Sequence, residues 1–501
     1  MEERLDLRGR SLRQHAARGT LINSGFQIAL AGLGFARRIV IAAFLTRAEF
    51  GIWGILITTL MTLSWLKEIG VADKFIQQSE PDQEVAYQKA FTLELLLSGG
   101  FFVLVVAALP IYALAYGRAE IIVPGIVLAA SVPISALESP VWIAYRRMQF
   151  VRQRVLASID PVVTTVATIA LGAAGAGYWS LVGGVVIGST VGAVAAVVTC
   201  PYRIRLRFER GTAREYVNFS WPLLGFQLSN LLVTQGLLLV AARAVGVAGV
   251  GAIALASVIA SFADRVDTIV SETIYPAVCA VADRTELLFE VFLTSNRLAL
   301  MWGMPFGVGL ALFADDLVRF AIGEEWRQAA GLLAAFGLMS ALKQVGFNWQ
   351  IFMRAVNRTR PIFFAALVNV GSFFAFVVPA VLVLGLTGYA VGSALGVLAQ
   401  LVARTYFLRE LFPRFSPWRQ FARAAAPTVP AAAAVLLVRL GAGQEATLPA
   451  ALGVLALFVV VAVAATLALE RALVSEILGY VRGGGGIRSR AEAGPEAPAG
   501  A

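Results

Sequence analysis

The residues able to do chemistry in this chain are few, and they sit where charge is expensive. Arg37, Arg38, Glu94, Glu138, Asp160, Asp264, Arg265, Asp267, Glu272, Arg297 and Lys343 all fall inside long apolar stretches. An ionisable group in hydrocarbon costs about 2.5–3.5 kcal/mol on insertion scales, so each should face a water-filled cavity or a partner. Arginine's planar fork takes phosphate oxygens two at a time. A cavity lined by Arg37, Arg38, Arg265, Arg297 and Lys343 would therefore suit an anionic cargo. Glu138, Asp264, Asp267 and Glu272 could neutralise those cations at rest, or carry a coupled ion or proton. Asp264 and Asp267 are spaced i, i+3, and Arg265 and Glu272 i, i+7, so a structural ion pair is the rival reading.

Uncharged polar residues form stripes on two of the same stretches. Asn23, Gln27, Gly34 and Arg38 share one helical face, and so do Gln227, Asn230 and Thr234. Gln27, Gln227 and Asn230 are thus candidates for a cavity wall; hydrogen bonding between packed helices is the alternative. The chain has no GxxxxGK[ST], HExxH, GxSxG or metal-spaced cluster. No ATPase, cofactor or metal site is expected, and energy must come from a gradient, the membrane potential or the cargo's own concentration difference. His15 stands alone in a basic tail, and Cys200 and Cys279 form no CxxC pair and read as inert thiols.

The elements that must position these groups are apolar helices. Hydrophobic residues make up 58% of the chain and charged residues 14%, against about 25% charged in a soluble domain. A spanning helix needs roughly 20 apolar residues, and only helices satisfy their own backbone in such a segment. About fourteen spans are expected, near 21–45, 50–66, 90–115, 120–144, 154–174, 178–200, 217–241, 249–281, 287–313, 328–352, 361–384, 387–408, 421–439 and 447–469. The eighth is long enough to tilt or kink, and Pro276 points to a kink in its second half. The first apolar run is too long for a signal h-region and reads as a permanent span.

Charge placement orients the spans. The net charge of +10 could suggest nucleic acid, but the arginines lie in short loops between spans, where they set topology and touch anionic lipid. Both termini are then expected in the cytoplasm. The C-terminal Gly/Ala/Pro/Glu run cannot bury a core and should be disordered.

An internal repeat divides the run of helices. Gly25-Phe26-Gln27 recurs as Gly225-Phe226-Gln227, and the 200-residue offset also aligns Val40 with Val240, Ala42 with Ala242, Ala48 with Ala248 and Gly51 with Gly251. Each copy lies in the first helix of a six-span block, which makes the repeat a parallel one. The expected division is a basic cytoplasmic tail (1–19), an N-lobe of helices 1–6 (20–200), a cytoplasmic linker (201–216), a C-lobe of helices 7–12 (217–410), helices 13–14 (411–470) and a disordered tail (471–501). The fold class is an all-α polytopic membrane protein with two six-helix lobes and two further helices.

Local text extends this pattern. Arg47-Ala48-Glu49-Phe50-Gly51-Ile52-Trp53, Gly246-Val247-Ala248-Gly249-Val250-Gly251-Ala252, and Phe262 to Asp283 with its Tyr275-Pro276 resemble entries and exits of helices two and eight in a known family. This is the polysaccharide transporter (Wzx-like oligosaccharide flippase) branch of the multidrug/oligosaccharidyl-lipid/polysaccharide exporter superfamily, and the likeness covers roughly 18–470. The resemblance implies a two-lobed inner-membrane carrier that moves an undecaprenyl-pyrophosphate-linked oligosaccharide by alternating access, in cell-surface polysaccharide biosynthesis. It implies no cofactor and no nucleic acid, a monomer among membrane lipids, and polymerase and glycosyltransferase partners. In related lipid II flippases arginines of helices one and eight enter the cavity; Arg37 or Arg38, and Arg265, hold similar places here. The rival readings are a membrane glycan polymerase or ligase, disfavoured by the lack of a large outer loop, a lipid II flippase, and a small-molecule antiporter, disfavoured by the two extra helices.

Overall fold

The computed structural model describes residues 12–42, 70–116, 119–441 and 447–471, with isolated residues between 44 and 57. The expected second span (50–66) and the tail beyond 471 lie almost wholly outside the described residues, and so do the side chains of Arg38, Arg265, Asp267 and Glu272. Among the described residues, six helices are long and apolar enough to cross a bilayer, or up to eight if two bent pairs each count as one span. The protein is all-helical and built of apolar spans, as its composition requires.

The first group of helices is α1 (Leu12–Ala42), a short α2 (Val71–Gln77), α3 (Gln83–Tyr116), α4 (Ile122–Ala136), a short α5 (Val141–Arg146), α6 (Phe150–Ala173) and α7 (Trp179–Val198). The second is α8 (Arg210–Ala244), α9 (Gly246–Ala260), α10 (Asp264–Ala280), α11 (Thr285–Leu312), α12 (Gln328–Lys343), a short α13 (Trp349–Ala355), α14 (Arg360–Ser372) and α15 (Val378–Leu411). Then follow α16 (Pro417–Ala425), α17 (Thr428–Gly441) and α18 (Leu448–Leu469). Helix α1 starts inside the expected N-terminal tail. The α14–α15 hairpin reverses at Gly385, whose φ of 61° and ψ of −131° break the helix; an L side chain rarely adopts such a φ.

The pairing of helices repeats. In the first group α1 packs on α6, α3 on α4, α4 on α7 and α6 on α7; in the second α8 packs on α14, α11 on α12, α12 on α15 and α14 on α15. Close approach is achieved the same way in both. On α7, Gly184, Gly188 and Gly192 lie against Thr168, Thr164 and Asp160 of α6, and on α15 Gly388 and Gly392 lie against Ala380 and Val377. Small residues four apart let backbones touch where no hydrophobic effect drives helices together. The corners after α5 and α13 also match. Among the described residues, Met148 and Asn357 are the two non-glycine ones with positive φ, 56° and 59°. Each caps its helix, because Gln149 N–H returns to the Ala144 carbonyl and Arg358 N–H to the Met353 carbonyl, both at 2.8 Å.

The eighth span breaks at a 3-10 turn, Ser261–Ala263, ahead of Pro276, which lies inside the continuous α10. The Ser261 hydroxyl donates to the Val258 carbonyl at 2.7 Å, a side-chain bond that competes with the helical ladder. Asp264 then opens α10, placing a carboxylate at the positive end of the helix dipole.

Filling the glycine seams should be costly. Gly188→Leu and Gly392→Leu are each expected to destabilise the protein by about 1–3 kcal/mol through overpacking, while Gly453→Leu, on a face of α18 with open space around it, should leave stability unchanged. Thermal unfolding in detergent checks this; equal midpoints for all three would contradict the seam.

Candidate functional site

The break between α9 and α10 faces a cavity of about 800 Å³, within the roughly 300–1,000 Å³ of ligand sites. Its wall comes from the second group; among the described residues only Asp73 and Tyr145 of the first group reach it. Among the described residues, five charged ones line it: Asp73, Asp264, Lys343, Arg354 and Arg404.

Two helix ends meet on the wall. Lys343 closes α12 and is exposed to the cavity. Arg404 of α15 donates from Nη1 to the Lys343 carbonyl at 2.6 Å and the Val345 carbonyl at 2.9 Å, so a cation sits on the negative end of α12. Gln344 Nε2 donates to Asp264 Oδ1 at 3.0 Å and so ties the end of α12 to the start of α10. Gln344 and Asn348 are 1% and 2% exposed and are held from behind by α11, as Asn296 Nδ2 donates to the Gln344 carbonyl at 2.8 Å and Asn348 Nδ2 to Ser295 Oγ at 2.6 Å. Gly346, at φ 66°, makes the turn. The Lys343, Arg404 and Asp264 charges thus stand on braced helix ends.

The floor of the cavity is a latch between the two groups. Arg354 of α13 donates from Nη1 to Asp73 Oδ2 of α2 at 2.5 Å, and its guanidinium lies over the Tyr275 ring, 5.3 Å from the centroid. The Tyr275 hydroxyl donates to the Asp73 carbonyl at 3.1 Å. Lys74, next on α2, bridges to Glu215 of α8 at 2.7 Å and donates to Asn357 Oδ1 at 3.3 Å. Arg146 of α5 holds α2 in place by donating to the Phe75, Ile76 and Gln78 carbonyls at the end of that helix. Beside it, Asn23 of α1 donates to Thr273 Oγ1 of α10 at 2.5 Å. All these contacts lie at one end of the bundle, where α1 and α8 begin and α10 and α13 finish.

Of the residues singled out in the sequence, the structure brings Asp264 and Lys343 to the cavity. Gln27, Gln227, Asn230 and Arg37 are half-buried and do not line it. Arg37 instead acts on Asp160 of α6, which accepts from Thr164 Oγ1 at 2.7 Å; Glu138 and Asp160 both abut Gly192. That is a second polar cluster, inside the first group. Arg297 does not line the cavity either: it pairs with Glu470 at the end of α18, so that its charge is met by an acid on the added helices. Asp73, Arg354 and Arg404 are the cavity charges that sequence reasoning assigned to loops or left aside. A signal was present for Arg404, since Ser393, Gly396, Val397, Gln400, Leu401 and Arg404 all line the cavity at the spacing of one helical face. Asp73 and Arg354 are 281 positions apart and carry no local signal.

The arrangement is two groups of helices paired alike around a polar cavity, and known folds share it. One solved structure is described as the outward-facing conformation of a multidrug resistance MATE family transporter of the MOP superfamily; it superposes with a TM-score of 0.67 at 16% identity, covering 82% of this chain and 98% of that one. A MOP superfamily transporter from Pyrococcus furiosus gives 0.62 at 16% identity, over 79% and 94%. A family model described as polysaccharide biosynthesis protein matches residues 40–331, more than half of the chain, and the protein belongs to that family. Among curated relatives, the succinoglycan biosynthesis transport protein ExoT of Rhizobium meliloti (strain 1021) is 21% identical over 68% of this chain and 69% of its own length. The lipopolysaccharide biosynthesis protein WzxC of Escherichia coli (strain K12) is 23% identical over 82% and 84%.

If Arg297 serves docking rather than cargo, Arg297→Gln should loosen α18 and leave cargo transport within about twofold of wild type, the effect of a partly exposed ion pair being about 0–1 kcal/mol. Hydrogen exchange of the segment near Glu470, run beside a transport assay, checks it; loss of transport with α18 still protected would contradict the assignment.

Proposed function

We propose that this protein moves a lipid-linked oligosaccharide, an undecaprenyl-pyrophosphate glycan, from the inner to the outer leaflet of the cytoplasmic membrane, with both termini on the cytoplasmic side. The single observation that carries this reading is the cavity's charge: Lys343, Arg354 and Arg404 against Asp73 and Asp264, with two of the three cations standing at the end of α12. A pyrophosphate cannot enter hydrocarbon at acceptable cost, whereas a polyprenyl tail prefers it. The head would pass through the hydrated cavity while the tail stays in lipid. Serine, asparagine and glutamine side chains on the same wall offer donors and acceptors to sugar hydroxyls.

The latch suggests the cycle. With α2 and α13 joined at the cytoplasmic end, the cavity is closed on that side; parting them would admit the head. Asp264, beside Lys343, and the Glu138–Asp160 cluster are the places where a coupled ion or proton would act, together with Asp267 and Glu272. Arg37, Arg38 and Arg265 stay candidate cargo ligands in another state of the cycle, and Gln27, Gln227 and Asn230 candidate wall residues. The protein would act as a monomer, in two lobes (20–200 and 217–410) with two appended helices, beside a polymerase and glycosyltransferases. The polymerase or ligase reading is set aside, since the relative from Rhizobium meliloti is named a transport protein.

Deletion of the gene followed by complementation tests the reading. Wild type should clear an undecaprenyl-linked repeat that builds up on the cytoplasmic leaflet of the deletion strain. Lys343→Gln combined with Arg404→Gln should fail to do so at normal membrane levels, a transport defect of about a hundredfold or more if two charge-assisted contacts of about 1.5–3 kcal/mol each are lost. Arg265→Ala should also abolish clearance while inserting normally. No build-up in the deletion strain would remove the proposal.

A further inference from the structure

We propose that the Arg354 guanidinium is exchanged between Asp73 and the anionic head of the cargo, so that the latch across the two helix groups and the cargo compete for one cation. The inference rests on the transport reading above and names how its cargo site is wired to its gate.

Arg354 has the geometry of a shared group. It lines the cavity and at the same time forms the cross-group bridge. The bridge engages Nη1 alone, and Nε is buried without a hydrogen-bond partner. A phosphate can take Nε and an Nη together, and such paired contacts outcompete a single one. Tyr275, of the same group, lies under the guanidinium at 5.3 Å, a contact that can persist whichever oxygen the guanidinium holds. Asp73 itself borders the cavity, so a head seated there meets the carboxylate it would displace, and like charge drives the two apart.

The neighbouring bridge behaves differently. Lys74 is 2% exposed, does not line the cavity, and is fully engaged by Glu215, Asn357 and Gln77. It aligns the two groups without sensing cargo. A head entering from the cytoplasmic side would find Arg354 released from Asp73. Closure then requires Asp73 to reclaim Arg354, which pushes the head onto Lys343 and Arg404, deeper in the cavity. By reciprocity, cargo that competes with the latch must favour the state in which the latch is parted.

The full-length protein in nanodiscs, with Cys200→Ser and Cys279→Ala, allows a direct test. Spin labels on exposed residues of the two groups report the width of the latch end, and farnesyl pyrophosphate is the probe. In wild type the probe should widen that end. Asp73→Asn should be wide without probe and bind it at least about fivefold more tightly, the lower range of coupling between sites. Arg354→Gln should be wide and bind at least about fivefold more weakly. Asp73→Arg with Arg354→Asp should close the end again, which shows an intact fold, but should no longer widen with probe. Equal probe affinity in wild type and Asp73→Asn would overturn the exchange while leaving the transport reading standing. A wild type that opens and closes but binds no prenyl pyrophosphate would remove that reading and the exchange with it.

Discussion

A charge inside a hydrocarbon slab must find a counter-charge, a helix end or water, and the architecture follows from how each charge here does so. Arg354 finds a carboxylate across the groups. Arg404 finds the carbonyls that end α12. Asp264 takes the first position of α10. Arg297 takes Glu470, and Arg439 of α17 pairs with Asp316 and donates to the Leu312 carbonyl at 2.8 Å. Broken helices supply such ends within the depth of the bundle, and unpaired backbone there is tolerable only where it lines a cavity. The break at Ser261–Ala263 and the turn at Gly346 are therefore the conditions for having a polar cavity at all.

The repeat explains why the latch takes the form it does. Applying the 200-residue offset, α2 aligns with Ser271–Ala277 of α10; the capped corners at Met148 and Asn357, 209 residues apart, correspond by their place after the short helices α5 and α13. Each group thus presents one short helix or helix end to the other group's corner. The two crossings have diverged chemically. Met148 is fully buried with Phe150 and Ala277, beside Ile22 and Ala280, an apolar contact flanked by the uncharged Asn23–Thr273 bond. The Arg354–Asn357 corner is polar and meets Asp73 and Lys74.

Much of the scaffold was legible in the sequence because it is written locally. Apolar runs give the helices: described helices fall within every expected span but the second, which lies almost wholly outside the described residues, and six to eight of them are long and apolar enough to cross a bilayer. The offset that linked Gly25 to Gly225 is matched by the repeated pairing of helices. The site was less legible. Lys343 and Asp264, which line the cavity, stand out in the sequence because a charge within a span is conspicuous. Arg354 and Arg404 were read as loop arginines, since residues at span ends satisfy the positive-inside pattern whether or not they turn inward. Arg297 looked like a cavity residue because its partner, Glu470, is 173 positions away on helices that have no counterpart in the repeat. The break at Ser261 had no conspicuous signal, because proline in an apolar helix is a stronger textual mark than a serine hydroxyl turned back on its own ladder.

The divergence of the two crossings bears on how a carrier can be both tight and able to open. An apolar crossing such as Met148 on Ala277 gains by area, at about 25 cal/mol per Å² removed from water, and is indifferent to what the cavity holds. If both crossings were of this kind, cargo would have no means of altering the balance between closed and parted states, since a ligand shifts an equilibrium only by its differential affinity for the two. A polar crossing exchanges partners at little net cost, because each group parted from its mate can be met by water or by another ion. Placing that crossing at the cavity floor, and the apolar one outside it, puts the bond that cargo can replace where cargo arrives. The duplicated fold supplies closure twice; the substitution of one corner by Arg354 and Asn357 is what can make closure answer to the contents of the cavity.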